Sequence, residues 1–137
     1  MIIVDTNAWR ELGHEQGHQT VKSWAIANAD QLVLSAIVLG EIYHGVALRP
    51  PGKPRRLLEE WLHRLEALYA GSILNFEEKA ARKFGELAAR SKRAGRNPGD
   101  IDMQIAAQAA AHGMALATRN VKDFEGLGID LINPWDT

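Results

Sequence analysis

The chain opens on an apolar run that stops abruptly at a carboxylate: Met1-Ile2-Ile3-Val4-Asp5, followed by Thr6 and Asn7. Short apolar runs rich in β-branched residues are typical of buried strands. In open α/β sheets, ligands bind at the carboxyl ends of the strands. We therefore interpret Asp5 as one wall of an acidic metal pocket, to which more distant parts of the chain bring further acids.

Strand and helix patterns alternate along the rest of the sequence. Further strands are predicted at residues 31–34, 72–76, 114–117 and 130–132. Helices are predicted at residues 8–12 (capped by Asn7), 20–28, 36–47, 57–68, 77–94 and 100–112, with a proline-rich break at 49–54 and a short helical turn at 121–124. This alternation predicts an α/β fold with a mostly parallel central sheet and helices on both of its faces.

Size and composition limit the classes of function. A length of 137 residues suits one domain, 1–137, with one core. The net charge of -1 provides no overall basic field to hold nucleic acid, so any such contact must come from local patches. The absence of cysteine excludes disulfides and thiolate sites and fits a cytoplasmic protein. We expect neither a leader peptide nor a membrane span, because no suitable apolar run is present.

Four features could converge at one edge of the predicted sheet: Asp5, Glu41, Asp102 and the corner from Thr118 to Asp123. Each has an ordinary structural explanation when taken alone. Asp5 could cap the helix that follows it, and Asp102 stands in a first helical turn, where the helix dipole favours an acid. The case for a functional site therefore depends on their combination.

Gathered carboxylates repel each other, by roughly 3 kcal/mol for two charges about 5 Å apart at an effective dielectric constant near 20. A site that holds three of them must raise some pKa values or bind a cation. Oxygen ligands without histidine or thiolate suit Mg²⁺ or Mn²⁺ better than zinc. Such an ion lowers the pKa of a bound water and stabilises charge on a phosphate, which indicates hydrolysis of a phosphodiester.

The ordered set of these segments resembles the PIN-domain family, and specifically the bacterial toxins of VapBC-type toxin–antitoxin modules. The resemblance is carried by Ile3-Val4-Asp5-Thr6-Asn7, by residues 35–41 with Glu41 at their end, by Asp102 to Ala107, by Ala117 to Asn120 with Asp123-Phe124, and by Ile132 to Trp135. No single one of these motifs is specific, but together they run in order through nearly the whole chain.

This resemblance implies a PIN-like three-layer sandwich and a Mg²⁺- or Mn²⁺-dependent endoribonuclease. Asp5, Glu41 and Asp102 match the family's three acids, with Asp5 and Asp102 as direct metal ligands. Glu41 is expected either to bind the metal through water or to position the attacking water. Asn120 falls where many members carry a fourth acid. Thr6, Thr118, Arg119 and Asp123 are expected around the substrate or behind the ligands. The resemblance further implies a homodimer and a small antitoxin, which together bind promoter DNA.

Local basic residues are the candidate RNA contacts. They are Arg49, Lys53, Arg55, Arg56, Lys92, Arg93, Arg96, Arg119 and Lys122. Phosphate contacts of this kind set affinity without sequence preference. Arg119 is the favoured one, because it stands at the predicted edge of the sheet.

Two other functions compete with the nuclease hypothesis. His14-Glu15-Gln16-Gly17-His18 matches the H-E-x-x-H pattern of zinc peptidases, although Gly13 and Gly17 weaken the helix that this motif requires. Asn120 in place of an acid motivates the second alternative, a catalytically weak PIN-like module that only binds RNA or a partner protein.

Overall fold

A four-stranded sheet forms the centre of the molecule in the computed structural model, which describes all 137 residues. Its strands are β1 (Ile2–Val4), β2 (Leu32–Val33), β3 (Ala115–Ala117) and β4 (Leu131–Ile132), in the order β2-β1-β3-β4. All neighbouring pairs are parallel, and Ile2 pairs with Leu32 on one side and with Ala115 on the other. The prediction of an α/β fold with a parallel sheet is therefore confirmed.

Six α-helices surround this sheet. They are α1 (Thr6–Gly13), α2 (Gln19–Ala27), α3 (Ala36–Ala47), α4 (Lys53–Leu68), α5 (Glu78–Arg93) and α6 (Asp100–His112), with short 3₁₀ helices at Ala29–Gln31, Val121–Phe124 and Pro134–Asp136. The chain moves outward from β1 to β2 and then back across β1 to β3. Because parallel crossovers are right-handed, these opposite directions place helices on both faces of the sheet. No helix combines the length and the apolar character needed to cross a bilayer.

The alanine-rich helix α6 packs against α5, β1 and β3. Ala106, Ala107 and Ala109 are fully buried, so small side chains let the helix approach its neighbours closely. The core contains 25 buried apolar residues, drawn from β1, β2 and β3 and from every long helix, while the residues of β4 are partly buried against it. In α4 the predicted apolar stripe is only partly buried, because Leu57 and Leu68 remain 52% and 78% exposed.

Three local predictions were wrong. Residues 72–76 do not form a strand but a single parallel bridge between Leu74 and Ser35. In it, the N–H of Leu74 donates to the carbonyl of Leu34, and the N–H of Ala36 donates to the carbonyl of Leu74, both at 2.9 Å. Asn7 does not cap α1, because Asp5 does so. Pro54 does not precede α4 but lies in its first turn. Backbone N–H groups in the first turn have no partner within the helix, so the N–H that proline lacks is not needed there.

Candidate active site

Asp5 lies at the carboxyl end of the central strand, in the crevice where the chain leaves β1 towards β2 and leaves β3 towards β4. Its N–H donates to the carbonyl of Ala117 at 3.0 Å, which fixes its backbone to β3. Its Oδ1 accepts a 2.9 Å hydrogen bond from the N–H of Ala8. The side chain is thus both a helix cap and a carboxylate with only 8% of its surface exposed. A crevice at such a switch point is the usual ligand position in parallel sheets.

Glu41 reaches the same crevice from the second turn of α3. Ser35 begins this helix by accepting a hydrogen bond from the N–H of Ile37. The Glu41 carboxylate is half-buried, and its Oε1 accepts a hydrogen bond from the hydroxyl of buried Thr6. Thr6 therefore holds one oxygen of Glu41, while Oε2 has no hydrogen-bond partner in the protein.

Asp102 comes from the first turn of α6 and is half-buried. Asp123, in the 3₁₀ helix that follows β3, lies close enough for its negative charge to raise the pKa of Asp102. We refer to Asp5, Glu41, Asp102 and Asp123 as the acidic cluster. The structure thus brings together three acids that are 36 and 61 residues apart along the chain, together with a fourth from the β3 corner.

The charges of the cluster help to raise the pKa values of Asp5 and Asp102. Burial is the main cause that raises the pKa of Asp5, and the charges of Asp102 and Glu41 raise it further. The hydrogen bond from Ala8 and the Thr118 hydroxyl act in the opposite direction. Burial also raises the pKa of Asp102, followed by the charges of Glu41 and Asp123. No member forms an ion pair with a lysine, arginine or histidine.

The donor set of the cluster is one of oxygens only, as Mg²⁺ and Mn²⁺ prefer. However, nowhere in the structure do three acidic or histidine side chains lie close enough to ligate one ion together. Mg²⁺ in proteins commonly keeps several waters and uses one or two carboxylates directly. The residues present therefore fit a hydrated hard cation with two direct ligands, and they do not fit a fully dehydrated one.

The corner after β3 differs in detail from the prediction. Thr118 is buried and its Oγ1 accepts a hydrogen bond from the N–H of Asn120 at 3.1 Å. The side chain of Asn120 is exposed and forms no hydrogen bond, so the charge that this corner adds to the cluster comes from Asp123. Spacing along the sequence placed the corner correctly, but it could not tell which of its polar side chains adds charge to the cluster, because Asn120 and Asp123 are both exposed.

Arg119 is exposed at the same sheet edge, with its guanidinium 5.2 Å from the ring centroid of Trp135. The sequence predicted Arg119 but not its aromatic neighbour. Trp135 belongs to the 3₁₀ helix that follows β4, and its nearness to Arg119 results from the pairing of β3 with β4. No spacing rule would have indicated this contact.

The H-E-x-x-H segment does not form a metal site. α1 ends at Gly13, and His14, Glu15 and His18 lie in the exposed connection to α2 instead of on one helical face. The backbone N–H of His18 donates to the carboxylate of Glu11 at 2.7 Å. The zinc peptidase hypothesis is therefore wrong.

Comparison with known proteins agrees with this geometry. The PIN domain family matches residues 2–128. The VapC ribonuclease Y4jK of Sinorhizobium fredii is 40% identical over 139 residues, which cover 99% of both chains. Toxin FitB of Neisseria gonorrhoeae is 34% identical over 137 residues, covering 98% of this chain and 99% of that one.

Solved structures show the same architecture. FitAcB from Neisseria gonorrhoeae superposes with a TM-score of 0.91 at 33% identity, covering all of both chains. VapBC2 from Rickettsia felis, bound to a DNA fragment from its promoter, gives a TM-score of 0.80 at 25% identity over 97% of this chain and 98% of that one. The chain therefore belongs to the PIN-domain family, among its VapC-type members.

Proposed function

We propose that this protein is a Mg²⁺- or Mn²⁺-dependent endoribonuclease and the toxin of a type II toxin–antitoxin module. The observation that carries the proposal is the unneutralised acidic cluster at the carboxyl ends of β1 and β3. The charges of Glu41 and Asp102 act on Asp5, and those of Glu41 and Asp123 act on Asp102. Asp5 is nearly buried, and none of the four carboxylates has a cationic partner. Such repulsion costs stability unless a cation is bound.

Each member of the cluster has a role in this proposal. Asp5 and Asp102 would hold the cation, because their backbones are fixed by the sheet and by the first turn of α6. Glu41, steadied by Thr6 through Oε1, uses its free Oε2 to orient the attacking water and to accept its proton. The water oxygen forms a bond to phosphorus while the bond from phosphorus to the leaving ribose oxygen breaks, and that oxygen takes up a proton from solvent. A bound divalent cation would lower the pKa of water and neutralise charge on the phosphate.

A partner surface is also part of the proposal. FitAcB and VapBC2 are complexes, and VapBC2 is bound to promoter DNA. In this chain, a cavity of about 300 Å³ between α1, α3 and α4 is lined by Arg10, Ile42, Leu48, Leu58 and Trp61, among others. Leu48 is 71% exposed, so part of this lining is apolar surface that a partner could cover. We propose that a small antitoxin covers such apolar surface, and that a homodimer of this chain binds promoter DNA together with it.

Cleavage of RNA tests the enzymatic part directly. The purified chain, free of antitoxin, should cut a labelled RNA pool in Mg²⁺ or Mn²⁺, and EDTA should stop it. Asp5→Asn should lose the activity by at least about 100-fold, the scale seen when a catalytic electrostatic group is removed. The amide keeps an acceptor for the N–H of Ala8, so the helix cap survives. Asp30→Asn, an exposed acid away from the cluster, serves as the control.

Two results would redirect the proposal. RNA binding without cleavage by the folded wild-type chain would favour the alternative, a PIN-like binding module. The toxin role requires growth arrest when the chain is expressed in the bacterial cytoplasm without a partner, and Glu41→Ala should relieve it. Persistent arrest in that variant would show that the harm does not come from catalysis.

A further inference from the structure

Arg119 is unusual among the arginines because it is held by an aromatic ring and by no oxygen atom. Arg10, Arg55, Arg82, Arg90 and Arg96 donate hydrogen bonds to carbonyl or carboxylate groups of the protein. Arg119 forms neither a hydrogen bond nor an ion pair, and its only described partner is the face of Trp135. A ring positions a guanidinium without using its N–H donors or cancelling its charge.

The ring itself is fixed in place. Trp135 lies in the short 3₁₀ helix that Asn133 caps by accepting a 3.0 Å hydrogen bond from the N–H of Trp135. This helix packs against α2, and Pro134 at its start is buried. The position of Arg119 is therefore tied to two elements, the end of β3 and the end of β4.

The position of Arg119 relative to the acidic cluster decides what it can bind. It follows Thr118, whose hydroxyl faces Asp5, so it stands at the rim of the crevice. Yet Arg119 forms no ion pair with any carboxylate of the acidic cluster. A cation at the rim, not paired with the carboxylates, suits a phosphate next to the scissile one better than the scissile phosphate itself.

From this geometry we infer that Arg119 on the Trp135 ring forms a binding subsite for a flanking phosphate of the RNA strand, with Trp135 as its positioning residue. The inference rests on the proposed nuclease function and adds a subsite to it. The remaining arginines without a described hydrogen bond are Arg49, Arg56, Arg64 and Arg93, and none of them stands at a strand end. A planar guanidinium with all its donors free matches the oxygens of a phosphate.

The test measures binding of a short fluorescein-labelled single-stranded RNA of mixed sequence by fluorescence anisotropy. Asp102→Asn serves as the parent, so that the RNA stays intact. Arg119→Ala should weaken binding and reduce the slope of log affinity against log salt by about 0.7, the contribution of one phosphate contact to a single strand. Arg64→Ala, an exposed arginine on α4, should leave both quantities unchanged.

Trp135→Leu should weaken binding by roughly two- to fivefold, the range of an exposed cation–π contact, and Trp135→Phe should restore most of the loss. In the Arg119→Ala background, Trp135→Leu should have no further effect. In the active enzyme, Trp135→Leu should raise KM and leave kcat unchanged, since a flanking contact contributes equally before and during the reaction. Melting curves establish that each variant is folded.

Two results would overturn the inference while leaving the nuclease function intact. Unchanged RNA affinity in Arg119→Ala would show that no phosphate binds there. A loss in Trp135→Leu that persists without Arg119 would show that the ring stacks on a base or only supports the fold. If the parent binds no RNA and the wild-type chain cleaves none, the proposed function fails, and the subsite fails with it.

Discussion

At the scale of single residues, Asp5 combines two roles that are usually alternatives. One of its carboxylate oxygens caps α1, directly after β1, and the same carboxylate contributes charge to the acidic cluster. The sequence permitted either interpretation. In the structure, the residue that caps α1 is also the residue at the carboxyl end of β1. Its side chain therefore lies both at the start of the helix and at the sheet edge where the other acids meet.

Thr6 gives the first prediction at this scale. Its hydroxyl donates to Glu41 and fixes which oxygen of that carboxylate stays free. Thr6→Val keeps the volume but removes the donor, and a hydrogen bond to a charged group contributes about 1.5–3 kcal/mol. We expect kcat to fall by roughly 10- to 100-fold, with KM nearly unchanged.

Steady-state cleavage of one labelled RNA measures this effect. Thr6→Ser keeps the hydroxyl and should retain most of the activity, which separates the lost donor from altered packing. Equal activity of the Val and Ser variants would exclude a role for Thr6 in placing Glu41.

At the scale of elements, the helices were predictable because their patterns are local. Five of the six long helices run within two residues of the expected bounds, and α4 begins four residues early because Pro54 starts it. The strand at 72–76 failed because strand pairing depends on distant partners, and only Leu74 finds one. The candidate site could be placed at the carboxyl end of β1, because in a parallel sheet the ends of all strands lie at one edge.

Contacts across elements were beyond the reach of the sequence. Gln108 of α6 is fully buried, and its Oε1 accepts a 2.6 Å hydrogen bond from the hydroxyl of Ser35. Nothing in the alanine-rich sequence of α6 indicates this contact. The sequence also could not show that Asp123, and not Asn120, adds its charge to the acidic cluster. Like the contact between Gln108 and Ser35, this depends on how separate elements pack.

The contact between α1 and α4 gives the prediction at this scale. A Cβ added at Gly13 would lie 2.8 Å from the ring of Trp61, which is closer than such atoms approach. Gly13→Ala should therefore lower the free energy of unfolding by about 1–3 kcal/mol, the usual cost of overpacking. Gly40→Ala, within α3 and with open space around it, should instead raise stability by roughly 0.5–1 kcal/mol.

Urea unfolding followed by circular dichroism measures both variants. Trp61→Leu should remove most of the difference between glycine and alanine at position 13, because the smaller side chain vacates the contact. If Gly13→Ala is as stable as the wild-type chain, α1 and α4 adjust more freely than this packing implies.

At the scale of the whole molecule, the fold brings together charges that weaken it. The chain is nearly neutral overall, with 16 basic and 17 acidic side chains, so this repulsion is a local feature of the crevice. At neutral pH this repulsion should lower the free energy of unfolding, and a bound divalent cation should raise it again. The cation that would serve the reaction would also hold the fold together at neutral pH.

The direction of the pH effect follows from the raised pKa values of Asp5 and Asp102. Above the folded-state pKa both states are ionised, and the cost of burying the charge is fully present. As pH falls from there towards the ordinary value of 3.8, the folded state takes up protons first, and the cost disappears. Asp5→Asn removes the part of this cost that comes from Asp5 at every pH, while the part that comes from Asp102 remains, since burial and the charges of Glu41 and Asp123 cause it.

Without divalent cations at pH 7, Asp5→Asn should therefore be more stable than the wild-type chain, by on the order of 1 kcal/mol. The advantage should shrink as pH is lowered through the folded-state pKa and vanish below 3.8. Excess Mg²⁺ at pH 7 should reverse the order, because only the wild-type chain gains binding free energy. Urea unfolding of both proteins across this pH range, with EDTA or with Mg²⁺, measures the difference, and Asp30→Asn should follow the wild-type chain. If the difference in free energy of unfolding between the two proteins did not vary with pH, the charge of Asp5 would not be what destabilises the folded state.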